Sequence, residues 1–143
     1  MRKQKGFTLI ELVVVVMILG ILAAVAAPKL LNTSSTAADN GLKQTLGVVR
    51  DAVERYAAEH GGKLPGDLGT QADLQGDLVT YLRGAFPICP VNGNNSDVAI
   101  STTAGATTPG GAQSWRYNSA DGTFICNSTA ATKSDPSVTY DDL

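Results

Sequence analysis

One segment near the start of this 143-residue chain limits every fold available to it. From Phe7 to Ala27 every residue except Thr8, Glu11 and Gly20 is apolar. As a helix the stretch reaches about 31 Å at ~1.5 Å per residue, the thickness of a bilayer's hydrocarbon core. The run carries no polar stripe, which suits a helix surrounded by lipid rather than one lying on a globular core. Arg2, Lys3 and Lys5 precede it and only Lys29 closely follows. That asymmetry predicts a cytoplasmic N-terminus and a C-terminal part carried across the membrane. The chain after Asn32 is mostly polar and dense in Gly, Ser and Thr, so the average composition hides two regions of opposite character.

Composition narrows the function classes. Thirteen acidic residues against eleven basic ones leave a net charge of −2, which argues against binding nucleic acid through phosphates. One His and two Cys are too few for the common zinc sites. No Ser/His/Asp, Cys/His or Gly-rich phosphate constellation is visible, so catalysis has little to rest on. His60, at the last turn of a helical pattern, complements the helix dipole and is given no catalytic role.

The apolar run admits several readings. A secretory signal is one, with Ala23, Ala24, Ala26 and Ala27 offering small residues for cleavage. A plain membrane anchor is another, but Glu11 lies inside the run, and a carboxylate in hydrocarbon needs a function and a partner. A third places Glu11 near enough to the surface to snorkel.

The segment Lys5-Gly6-Phe7-Thr8-Leu9-Ile10-Glu11, behind its basic leader, resembles the processing site of type IV pilins and type II secretion pseudopilins. The resemblance implies that a prepilin peptidase cuts between Gly6 and Phe7 and that Phe7 becomes the N-methylated terminus. It divides the chain into a leader at 1–6, a transmembrane and polymerisation helix at 7–29, and a periplasmic or extracellular domain at 30–143. The freed Phe7 amine then lies close to Glu11 of its own chain or faces Glu11 of a neighbouring subunit, a pairing that offsets the buried charge and gives Glu11 its role in assembly, setting the register of addition. Pro28 removes the hydrogen bond to the Ala24 carbonyl and is expected to kink or end the helix. In the resembled family a proline near this point lies within one long helix, and the stretch from Gly20 to Pro28 loosens in the filament. The specific match covers roughly Lys5 to Pro28.

Further along, Leu42, Leu46, Val49, Val53 and Tyr56 recur at helical spacing, with Lys43, Arg50, Asp51, Glu54 and Glu59 elsewhere on the cylinder. Arg50–Glu54 and Asp51–Arg55 are predicted i,i+4 ion pairs, and Gly61-Gly62 before Leu64-Pro65 is a stop signal. A second helix is predicted within 70–84 from Leu74, Leu78, Tyr81 and Leu82. Residues 86–90 read as extended, residues 91–114 as loop with Val98 and Ile100 alternating, and residues 115–117 with 123–126 as a β-hairpin. The tail from Thr129 reads as irregular. The expected fold is α+β and pilin-like: a long N-terminal helix, half transmembrane and kinked at Pro28, packed on a small antiparallel sheet.

Export places Cys89 and Cys126 in an oxidising compartment, where they form either a bridge or two buried thiols. Many type IV pilins carry such a disulfide, and major pseudopilins of type II secretion usually do not. Those pseudopilins bind calcium through acidic residues of a C-terminal loop. Asp135, Asp141 and Asp142 are the weak candidates here, although no calcium-loop spacing matches and a solvated acidic tail is the better reading; otherwise no cofactor is expected.

The functional expectation is therefore a structural, non-enzymatic subunit of a pilus-like filament. The small domain, the short connection from Gly61 to Pro87 and the Leu-Pro after the helix favour a pseudopilin acting in type II protein secretion. A type IV pilin for adhesion, motility or DNA uptake is the alternative, and a membrane-anchored ligand-binding or enzymatic ectodomain is an alternative of another class. The partners implied are copies of the chain, prepilin peptidase, an inner-membrane assembly platform and membrane lipid. The location implied is a single pass in the inner membrane, then a pseudopilus or pilus.

Overall fold

The computed structural model describes residues 6–143, so Arg2, Lys3 and Lys5 of the basic leader lie outside the described residues. The element order is α1 (Leu9–Glu59), α2 (Gln71–Leu78), β1 (Val98–Ser101), β2 (Trp115–Asn118), β3 (Phe124–Cys126) and a short 3₁₀ turn, η1 (Tyr140–Asp142). Two compact units divide the chain, one ending at Ser35 and one running from Thr36 to Leu143.

The first unit is the N-terminal part of α1. The helix continues through Pro28. Proline has no N–H to give the carbonyl one turn back, so the backbone there has one bond fewer than the turns around it.

The second unit is built on the predicted stripe. Leu42, Leu46, Val49 and Val53 are all buried, and Ala52 joins them. They form one apolar cluster with Leu74 and Leu78 of α2 and with Trp115, Tyr117, Phe124 and Cys126 of the sheet. The helix stops where the glycines stand. Gly61 takes φ +66°, and the Gly62 N–H reaches back to the Ala57 carbonyl at 2.7 Å, the six-to-one bond of a Schellman cap. His60 falls just past the helix, stacked on Tyr56 with ring centroids 3.9 Å apart.

Several details depart from the sequence reading. α2 ends at Leu78, although Leu82 is buried as its spacing suggested. The hairpin forms as expected, with Trp115 opposite Cys126 and Tyr117 opposite Phe124. The sheet is mixed, however, because β1 runs parallel to β2, with Val98 opposite Trp115. Parallel pairing needs a connection of about a dozen residues or more, and residues 102–114 supply it. Neither predicted i,i+4 ion pair forms: Lys63–Asp67 at 3.6 Å is the salt bridge found among the described residues. Arg50 instead turns inward. The tail is ordered as well, with Ala131 bridged to Thr139 and Tyr140 buried.

Candidate assembly site and the anchors of the C-terminal domain

The helix begins at a pair of side chains four positions wide. Thr8 precedes the first helical residue, and its Oγ1 accepts from the Glu11 N–H at 3.4 Å. Glu11 Oε2 in return accepts from the Thr8 N–H at 2.8 Å and from the Thr8 hydroxyl at 2.7 Å. This reciprocal arrangement is a capping box, legible in the sequence as T-x-x-E. It gives the Glu11 carboxylate donors within its own chain. Sequence reasoning sought that partner in the Phe7 amine and overlooked Thr8.

Behind this cap the apolar residues have nothing to pack on. From Leu9 to Val25 every large apolar side chain is at least 40% exposed. α1 is long and apolar enough over this part to cross a bilayer. Such a surface is stable only in lipid or against other copies of itself. Gly6 and Phe7, the residues flanking the expected cut, stand just before the helix, and Phe7 is exposed.

In the C-terminal unit, two residues that sequence reasoning passed over hold distant segments to α1. Asp39 is fully buried, and its two oxygens accept from the Tyr140 hydroxyl at 2.8 Å and the Ser134 N–H at 2.7 Å. Burial pushes its carboxyl up, but the donors from Tyr140, Ser134 and the Lys133 backbone outweigh it and hold the group below its ordinary range. Tyr140 is pushed up to about 12, first by burial and then by the bond to Asp39. Arg50 donates from Nε and Nη2 to the Phe124 carbonyl, at 3.1 and 2.9 Å, and from Nη2 to the Leu143 carbonyl at 2.6 Å. A signal for Asp39 existed: it stands three and seven residues before Leu42 and Leu46, on the buried stripe itself.

Cys89 and Cys126 are both fully buried, with their sulfurs 3.6 Å apart. They are thiols here, since an S–S bond spans about 2.05 Å. The bond between the two sulfurs, in which either can donate, together with the Val91 and Asn92 N–H groups draws Cys89 down against the opposing effect of burial. The same bond, with burial, pushes Cys126 up.

The tail carboxylates do not converge. Asp135 accepts from the Ser137 N–H and hydroxyl at 3.0 and 2.6 Å, Asp142 accepts from the Thr139 hydroxyl at 2.9 Å, and Asp141 Oδ1 is buried without a partner. Among the described residues no group of three or more His, Cys, Asp or Glu is placed to hold a metal ion. The chemistry on offer is thus association, through an exposed apolar helix with one capped carboxylate.

Comparison with known proteins agrees. Residues 1–27 match the family described as the prokaryotic N-terminal methylation motif. The prepilin peptidase-dependent protein D of Escherichia coli is 34% identical over 123 residues, which cover 82% of this chain and 84% of that protein. The type IV major fimbrial protein FimA of Dichelobacter nodosus is 29% identical over 93% of this chain and 94% of its own. The type II secretion system core protein G of Vibrio cholerae is 38% identical, over 50% of this chain and 49% of its own. No solved structure matches. A methylation motif at the start of an exposed apolar helix, and relatives that align along most of the chain, together show that this protein belongs to the family of type IV pilins and type II secretion pseudopilins.

Proposed function

We propose that this protein is a structural subunit of a pilus-like filament, cleaved between Gly6 and Phe7, N-methylated on Phe7, and polymerised through α1. The observation that carries this reading is the run of apolar side chains from Leu9 to Val25, left exposed behind a single capped carboxylate. Before assembly the run resides in the inner membrane with the C-terminal part of the chain carried across it, a reading the basic leader supports. In the filament, copies replace lipid around it. Glu11 then gains the Phe7 amine of a neighbour as a partner additional to Thr8, so the pair sets the register of addition while apolar contacts hold the bundle. Pro28, with one backbone bond missing, is where the helix bends or loosens.

Within this class the protein acts as a pseudopilin of type II secretion, supported by its likeness to core protein G. A second reading, a type IV pilin subunit, is favoured by the fimbrial relative that aligns with nearly the whole chain, whereas core protein G aligns over about half. The partners are copies of itself, prepilin peptidase and an inner-membrane assembly platform, and the subunit is not an enzyme.

Co-expression with a prepilin peptidase tests the reading. Intact mass should show loss of residues 1–6 and one added methyl group on Phe7. Cleavage near Ala27, or none, refutes it.

A further inference from the structure

The buried thiol pair has no part in assembly as described above, and the way it is covered suggests a function for the tail. β3 is an edge strand of the sheet, paired with β2 alone. Cys126 ends it, and η1 packs against that strand, with Asp141 and Tyr140 close enough to act electrostatically on Cys126 or to feel it. The tail that carries η1 is a closed loop. Tyr140 N–H bonds to the Ala130 carbonyl at 3.0 Å and Thr132 N–H to the Val138 carbonyl at 2.8 Å, so residues 130–140 hold their own shape. Asp39 grips this loop twice, at Ser134 and at Tyr140. Beyond it, Arg50 grips Leu143.

We propose that the C-terminal loop is a strap, fastened by Asp39, that controls access to the Cys89–Cys126 pair. With the strap seated, Tyr140 shares one apolar cluster with Cys89 and Cys126, and both cysteines are fully buried although their sulfurs lie within van der Waals reach of each other. Oxidation then requires the strap to lift, or to be not yet docked. In that step the two thiols give up two protons and two electrons to a disulfide-bearing oxidant. The Cys89–Cys126 bond forms, and the oxidant's own disulfide is reduced to two thiols. Lifting the strap breaks the Asp39 bonds to Ser134 and Tyr140 and leaves the β1–β2–β3 pairing intact, so it is a local opening of lower free energy than global unfolding.

The test uses the full chain, reduced, in detergent, with a maleimide as the probe and intact mass as the readout. Asp39→Asn keeps the shape but places an amide N–H₂ against one of the two donors. It should raise the labelling rate of Cys89 and Cys126 about tenfold, as expected for one charge-assisted hydrogen bond lost from the closed state. Tyr140→Phe, a milder change, should raise it less. Hydrogen exchange at residues 115–118 should stay as slow as in the parent. Equal labelling rates in the parent and both variants overturn the proposal. So does labelling that accelerates only in step with exchange of the sheet amides, because the thiols are then reached by unfolding and not by a strap.

Discussion

Arg50→Met isolates what holds the C-terminal part of the chain to α1. Methionine keeps most of the side chain's apolar stem and removes only the guanidinium. In the parent that group serves two carbonyls: Phe124 O receives both Nε and Nη2, and Leu143 O receives Nη2. A hydrogen bond from a charged donor contributes about 1.5–3 kcal/mol net. The side chain is only half-buried, so water can re-solvate part of what is lost, and the combined cost is set near the low end, at about 2 kcal/mol. For a domain of this size that corresponds to a fall in Tm of about 10 °C. The assay is unfolding of the full chain in detergent, followed by fluorescence of Trp115, the one tryptophan, which is fully buried. Glu54→Gln is the control. If Arg50 bonded along the helix, losing Glu54 would weaken the domain as much as losing Arg50. The inward geometry predicts no measurable change for Glu54→Gln. An Arg50→Met midpoint equal to the parent's, or a Glu54→Gln midpoint lowered to match it, refutes the reasoning.

Glu11→Ala should insert into the membrane and lose its leader normally, yet assemble far less filament, as read by shearing or by electron microscopy of fibres. Normal assembly of the processed variant would show that the carboxylate sets no register and only caps its own helix. The 3.6 Å separation of buried sulfurs predicts that chain recovered from an oxidising compartment carries a Cys89–Cys126 bridge, seen as a linked peptide pair in non-reducing mass spectrometry. Complete alkylation of both thiols in unfolded chain prepared without reductant would show that they stay free.

The amino-acid sequence by itself determined whatever depends on neighbours along the chain. An apolar run fixes a helix that needs lipid or copies of itself, whatever lies downstream. The stripe from Leu42 to Tyr56 fixes a buried helical face, and Gly61-Gly62 fixes its end, because both are matters of helical period and backbone freedom within a turn or two. The Thr8–Glu11 box is equally local, written in the sequence as T-x-x-E. Tertiary structure alone decided the rest. Arg50 had a plausible partner one turn away at Glu54, and only the fold could offer it a better one, the Phe124 carbonyl 74 positions on. The mixed sheet depends on how residues 102–114 cross between strands, which no periodicity encodes. Asp39 meets Tyr140 across 101 positions, and the same closure turns a polar tail into a seated loop held to α1. Contacts of that range arise when separate apolar faces share one core, so their geometry follows from packing and leaves little trace in any short stretch of residues.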